Sequence, residues 1–531
     1  MNRAKHESDL RTTHRHLLSA AAGLTVLTLL SRVLGLVREQ VRGFYLGTGM
    51  GSDAFGLAAM IPNLFRRLVG EGAMTAAFIP VFTGYIKKDD KEGMRGFLSA
   101  FVTLFTLILV VFTAVMILLS PWIVRTFFPG FGQVPGKLAL TVVLTQMMFP
   151  YLFLVSIAAV FQAVLNSFRI FAPSATTPIL LNLAIILTTT AIHDRFPDPS
   201  YALAAGFLIG GVLQAGFQIP WLIKRGLGIR FSLNWNHPGI RELGRVFLPG
   251  VFAAGIYQIN VFVSQIIAAG LAEGTVASLQ YSNRLLELVL GIFVISVTTV
   301  ILPTFARQFA DRSSAQVADT LRFGLGLMAL VALPATAGLM VLGEPIVRLL
   351  FQFGRFDAQS TRLTTFALLF HAPGIYFIAT SRTLNQVFYG ARDLRTPAWC
   401  AFGAMLANIV LCLALAGPLG NGGIALANSL SAVVTTVLLA VMVRRTGVRA
   451  PFRAHGSTFL RAAAAAGFMA AGLLGLGVLL PWDPDLGRAA LGGRLFLFVA
   501  VGVAVYGVFL WVLMKKDLLE LYKLVQRSRR G

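Results

Sequence analysis

Apolar runs of 20 or more residues recur along this chain of 531 residues, separated by short polar breaks. A run of about 20 apolar residues crosses the roughly 30 Å hydrocarbon core of a bilayer as a helix. The pattern predicts about fourteen such helices, near 17–46, 53–86, 96–127, 138–168, 174–192, 200–223, 243–270, 275–306, 318–351, 361–389, 396–416, 421–443, 458–480 and 490–514. Several exceed the minimum span, so they tilt or extend beyond the bilayer. The first run is not expected to be a cleaved signal peptide, because it continues through Arg32 and Arg38 without a small-residue cleavage pattern. The expected fold class is an all-α polytopic membrane protein.

Charge sharpens this picture. Only 13% of residues are charged and 56% are hydrophobic, about half the charge fraction of a soluble chain. The connecting loops alternate in basicity. One set carries Lys87, Lys88, Lys91 and Arg95, then Arg169, then Lys224, Arg225, Arg230, Arg241 and Arg245. It continues with Arg307, Arg312, Arg322, Arg392, Arg395, Arg444, Arg445, Arg449, Arg453 and Arg461. The opposite loops hold only Lys137, Arg195, Arg355 and Arg488. Both termini are basic as well, so the positive-inside rule places both in the cytoplasm and demands an even number of spans. The net charge of +23 is therefore mostly a topology signal, and no nucleic-acid partner is expected. Cys400 and Cys412 share one apolar run and the seven histidines are scattered. No disulfide framework, metal site, catalytic triad or cofactor is expected.

The chain also repeats itself. Pro80-Val81-Phe82 recurs as Pro303-Thr304-Phe305, Ile123-Val124-Arg125 as Ile346-Val347-Arg348, and Ala202-Leu203-Ala204 as Ala425-Leu426-Ala427. Each pair is separated by 223 residues. The offset spans six predicted helices, an even number, so the halves enter the membrane in the same orientation. The expectation is two parallel six-helix lobes (17–235 and 236–455) around a central cavity. A cytoplasmic tail (1–16) precedes them. Two extra helices (456–514) and a basic cytoplasmic tail (515–531) follow.

The chemistry concentrates where it is costly. Between Ser31 and Glu71, Arg32, Arg38, Arg66 and Arg67 fall inside two predicted spans. One arginine at mid-bilayer costs about 2.5–3.5 kcal/mol. Four facing lipid would cost roughly 10 kcal/mol, so they should instead line a polar cavity that accepts an anion. Arg32 and Glu39 share a helix face, Arg67 and Glu71 are spaced to pair, and Arg284 and Glu287 lie three apart deep in an apolar run. Asp53 opens its helix beside Ser52, where a carboxylate can cap the N-terminus or serve function. Arginine suits an anionic ligand because its planar fork grips phosphate bidentately and keeps its charge when desolvated. Arg125 and Arg348, near outer helix ends, are expected to snorkel.

These residues are familiar as a set. SRVLGLVRE, GTGMGSDAF, PNLFRRLVGEGA, FIPVF and YSNRLLE resemble the MurJ (MviN) family of lipid II flippases, within the MOP exporter superfamily. The resemblance covers nearly the whole chain. It implies a transporter, not an enzyme, in the bacterial inner membrane, moving undecaprenyl-diphosphate-linked disaccharide pentapeptide outward for peptidoglycan assembly. The implied substrate-binding arginines are Arg32, Arg38, Arg66 and Arg284, supported by Glu39, Asp53, Asn63, Arg67, Glu71 and Glu287. A groove near 458–514 is implied for the lipid tail. Membrane lipids and cell-wall synthesis or division proteins are the implied partners of a monomer. Some relatives bind sodium between the seventh, eleventh and twelfth helices through carboxylates and an asparagine. The matching positions here are Ser264, Asn408 and Cys412, so no sodium site is expected and membrane potential becomes the candidate energy source.

Rival readings have distinct signatures. A drug exporter of the same superfamily would want an acidic or aromatic cavity for cations. An O-antigen-type flippase would share the basic cavity, and only the motifs argue against it. A membrane glycosyltransferase or ligase would need a sizeable outer loop or paired surface acids, which the short outer breaks do not offer.

Overall fold

The computed structural model describes residues 2–67, 73–448, 452–483 and 486–530, as an all-helical chain. In order, the helices are α1 (Asn2–Leu46), α2 (Met50–Arg66), α3 (Ala73–Lys87), α4 (Lys91–Phe127), α5 (Lys137–Ser167), α6 (Ala172–Ile192), α7 (Ser200–Lys224) and α8 (Pro238–Ala269). There follow α9 (Thr275–Ala310), α10 (Ser314–Phe351), α11 (Ala358–His371), α12 (Gly374–Gly390), α13 (Arg395–Met442), α14 (Phe452–Leu479) and α15 (Arg488–Arg530). Eight helices among the described residues are long and apolar enough to cross a membrane, or nine when α11 and α12, bent by 45°, form one span. The count differs from fourteen partly because the run near 53–86 is described as α2 and α3, of 17 and 15 residues. Within α13, Gly420 leaves the helical region at φ 55° and ψ −131°, conformational space open to glycine, and so divides the two runs expected at 396–416 and 421–443. Met514 breaks α15 where the basic tail was expected to begin.

The chain forms two compact units, Met1–Ile259 and Asn260–Gly531. In the first, Phe78, Phe82, Phe97 and Phe101 stack between α3 and α4. A second cluster, with Leu144, Met148, Tyr151, Leu203 and Phe207, ties α5 to α7. Small residues let α6 and α7 touch closely: a Cβ on Gly206 would come within 2.7 Å of Ile185 Cα. In the second unit, Phe305, Leu321, Leu384 and Phe388 join α9, α10 and α12. There α14 and α15 pack on α10 through Leu342, Met469, Leu473 and Phe498. The sequence repeat is visible in the elements. Helices α4 and α10, of 37 and 38 residues, carry Arg125 and Arg348 in their last turns. A buried phenylalanine pair sits at the end of each, Phe128 with Phe131 just after α4 and Phe351, the last residue of α10, with Phe356. Arg348 does not simply snorkel, since its Nη1 donates to the Asp483 carbonyl at 2.8 Å.

Two helix starts of the second unit use aspartate. Asp357 accepts from the Ser360 N–H at 2.7 Å, and Asp393 accepts from the Thr396 hydroxyl at 2.5 Å and the Thr396 N–H at 3.0 Å. These bonds favour the carboxylate: the Ser360 N–H lowers the pKa of Asp357, and the Thr396 hydroxyl lowers that of Asp393. Both caps therefore contribute fully above the ordinary value of 3.8 and fade as pH falls through their lower folded values. Thermal unfolding of the detergent-solubilised protein should show a melting temperature that drops below pH 4. That drop should shrink in the Asp357→Asn, Asp393→Asn double variant. An unchanged acid slope would remove the caps from this role.

Candidate substrate site

The last four turns of α1 hold a chain of charge inside the first unit. Arg38 and Glu39 are neighbours in sequence, yet their long arms meet: Arg38 Nη2 donates to Glu39 Oε1 at 2.6 Å. The second nitrogen, Nη1, donates to Asn182 Oδ1 on α6 at 3.2 Å, and the Asn182 amide donates to the Ser31 carbonyl at 3.2 Å. Asn182 thus fixes both the guanidinium and the helix that carries it. Phe207 lies under the same guanidinium, 5.9 Å away.

The other oxygen of Glu39 faces Arg42, whose Nη1 is 3.5 Å distant. Arg42 is buried and donates from Nη2 to the Ser52 carbonyl at 2.9 Å, joining α1 to the start of α2. Next to Ser52 stands Asp53, only 1% exposed, with Lys137 Nζ at 2.7 Å. Phe131 covers that ammonium at 4.2 Å. Asp53 is therefore not the residue that opens the helix. The first helical residue follows Gly49, which offers no side-chain cap, and the carboxylate is committed to a buried ion pair instead.

Along α2, Asn63 accepts from Arg66 Nε at 3.0 Å while its amide donates to the Ala59 carbonyl at 2.8 Å. Asn63 thereby sets the direction of the Arg66 side chain. Arg67 is exposed at the end of α2, with its N–H on Asn63 and Leu64 carbonyls. Glu71, its expected partner, lies outside the described residues. Arg32 is half-buried and has no side-chain hydrogen bond among the described residues. In the second unit, Arg284 Nη1 reaches Glu287 Oε2 at 3.3 Å, and Asn283 donates to Glu287 Oε1 at 3.4 Å. The expected spacing pairs on α9 are thus present.

Three residues escaped the sequence reading. Arg42 stands three positions beyond Glu39, a spacing that could have flagged it. Lys137, expected in an outer loop, is 2% exposed in the first turn of α5. Asn182 gives no sequence signal, because only packing of α6 on α1 turns it toward Arg38.

The positions expected to lack a sodium site form their own network. Asn408 donates its amide to Asn260 Oδ1 and Ser264 Oγ, both at 2.9 Å, and Cys412 Sγ lies 3.8 Å from Asn408 Oδ1. The set is uncharged, and its two best oxygens already accept from Asn408. The set thus offers a hard cation neutral oxygens and no carboxylate. Among the described residues, no group of three or more His, Cys, Asp or Glu is placed to hold a metal.

The comparisons with known proteins agree with this architecture. The family model described as lipid II flippase MurJ matches residues 44–484. A probable lipid II flippase MurJ of Vibrio cholerae is 34% identical over 435 residues, 81% of this chain and 83% of that protein. The corresponding protein of Treponema pallidum is 35% identical over 441 residues, 81% and 82% of the two chains. A lipid II flippase MurJ of Burkholderia cenocepacia is 30% identical over 428 residues, 80% and 83%. Among solved structures, a lipid II flippase MurJ in an inward-closed conformation superposes with a TM-score of 0.79 at 24% identity, covering 93% of this chain and 99% of that one. An inward-facing MATE multidrug transporter of the MOP superfamily gives 0.67 at 14% identity, covering 80% and 99%.

An all-helical chain that shares the fold of these proteins, with eight or nine helices among the described residues long and apolar enough to cross a membrane, is a multi-pass membrane protein. Its place within that class is equally plain. The chain belongs to the lipid II flippase MurJ family.

Proposed function

We propose that this protein carries lipid II from the cytoplasmic to the outer leaflet of the bacterial inner membrane by alternating access. Family membership over residues 44–484 is the observation that carries this reading. Arg32, Arg38, Arg66 and Arg284 bind the diphosphate, because guanidinium groups hold phosphate oxygens bidentately and stay charged away from water. Glu39, Asp53, Asn63, Arg67, Glu71 and Glu287 orient and partly neutralise them. The undecaprenyl tail stays in lipid and follows a groove along α14 and α15. Both termini face the cytoplasm. The chain acts as a monomer, with cell-wall synthesis or division proteins as neighbours. Structures of the same fold solved inward-facing and outward-facing support the cycle.

Membrane potential drives the export. With the interior negative, moving one negative charge outward gains about 2.3 kcal/mol per 100 mV. The uncharged Asn260–Ser264–Asn408 network supports a cycle without bound sodium. The arginines proposed to bind the diphosphate also separate this reading from a drug exporter, whose cargo is usually cationic.

Depleting the protein in its host and labelling lipid II from outside tests the reading. Outer-leaflet lipid II should fall and the inner-leaflet pool should rise. An unchanged distribution across the two leaflets would overturn it.

A further inference from the structure

Between α7 and α8 the chain is neither helix nor free loop. Helix α7 is capped by Arg225, and Gly226 takes φ +69°, so that its N–H meets the Ile223 carbonyl at 2.8 Å and the Leu227 N–H meets the Leu222 carbonyl at 3.1 Å. That is a Schellman end, sealed by buried Leu227. From there the backbone climbs one face of α4. Arg95 Nε donates to the Gly226 carbonyl at 3.0 Å. The Arg230 N–H donates to Ser99 Oγ at 3.2 Å, and the Ser232 N–H to Thr103 Oγ1 at 3.1 Å. Arg95, Ser99 and Thr103 are spaced by four, one turn each. The chain then returns, and His237 lies between Tyr85 and Phe97 with ring centres 6.0 and 5.7 Å apart.

This strap turns an apolar stripe outward. Phe231, Leu233 and Trp235 are 75%, 51% and 59% exposed, Trp235 at a turn where its N–H meets the Leu233 carbonyl at 2.9 Å. Helix α4 sets their depth. Trp122, also exposed, and Arg125 mark its far interface. Thr103 lies nineteen residues before Trp122, about 28 Å along a helix and so close to the thickness of the hydrocarbon core. The strap's tip, bonded to Thr103, therefore reaches the near boundary of the core, while Lys87, Lys88 and Lys91 lie on the water side. Irregular backbone is excluded from the lipid interior but tolerated at that boundary. Lys224, Arg225, Arg230, Arg241 and Arg245 lie in or beside the strap in sequence, against the acids Glu242 and, facing His237, Asp90, a basic excess that suits the anionic headgroups of a cytoplasmic leaflet.

We propose that Arg225–His237 is a membrane-contacting strap that seats Phe231, Leu233 and Trp235 at the acyl–headgroup boundary, with Arg230 on an anionic lipid headgroup. Only the naming of the leaflet rests on the flippase reading.

The test uses the full-length protein with Trp122, Trp221, Trp399, Trp482 and Trp511 changed to Phe, leaving Trp235 as the sole reporter. It is reconstituted in phosphatidylglycerol–phosphatidylethanolamine vesicles carrying brominated acyl chains. Emission should fall at least twofold with bromine near the headgroup end of the chain, and less with bromine deeper. Phe231→Ser with Leu233→Ser should relieve that quenching. Exchanging phosphatidylglycerol for phosphatidylcholine, or Arg230→Gln, should weaken it. Full access to aqueous acrylamide with no bromine quenching would overturn the proposal, as would strongest quenching from the deepest bromines. Insensitivity to headgroup charge would overturn the Arg230 contact. Should the multiple Phe variant not insert, a nitroxide on Trp235→Cys in a Cys400→Ala, Cys412→Ala background reads the same depth. Depth is measured without transport, so this result and the lipid II distribution stand or fall separately.

Discussion

Replacing Lys137 with alanine should destabilise the protein by about 3–5 kcal/mol. Asp53, at a site 1% exposed, would lose the ammonium that stands 2.7 Å from it. Removing one member of a buried ion pair is costly because the remaining charge has lost its compensation and cannot regain water. Removing both is different. At the 223-residue offset of the repeat, Asp53 and Lys137 correspond to Val276 and Ser360, both buried and uncharged. The second unit thus starts its matching helices without an ion pair there. An Asp53→Val, Lys137→Ser double variant should therefore recover stability to within about 1 kcal/mol of the parent, as buried pairs often are replaceable by neutral packing. Denaturant or thermal unfolding in detergent reads both. A double variant as unstable as Lys137→Ala would show that the pair is not the cause.

Arg38→Ala should abolish complementation of a strain depleted of its own flippase, at normal membrane levels of the protein. Truncating one partner of a desolvated, hydrogen-bonded charge pair costs about 2–5 kcal/mol, or roughly 30- to several-thousand-fold in affinity. Arg38 reaches Glu39 and Asn182 from separate nitrogens, so Arg38→Lys, which keeps the charge and loses the fork, should recover only a fraction of growth. Arg284→Ala should behave like Arg38→Ala. Full growth with both arginines replaced would sink the role proposed for them.

Much of this was legible in the chain alone. Hydrophobic runs predicted a helical membrane protein because a bilayer tolerates almost nothing else. The 223-residue repeat emerges again in α4 and α10, and the pairing of Arg284 with Glu287 follows from helical spacing. Local periodicity failed where partners come from other helices. Arg32 and Glu39 share a face, yet Glu39 is held by Arg38 and Arg42. Asp53 reads as a cap, yet its partner lies 84 residues away.

Sequence by itself determined the class, the repeat and the arginine-rich hairpin, since apolar length and misplaced charge are properties of the chain in any lipid environment. Only the tertiary structure decided how those charges are compensated. It turned Asn182 toward Arg38, drew Arg42 onto the Ser52 carbonyl, buried Lys137 against Asp53, and laid the 225–237 strap along α4. The physical reason is that a buried charge must find its partner in three dimensions, and the nearest partner in space is set by helix packing rather than by distance along the chain.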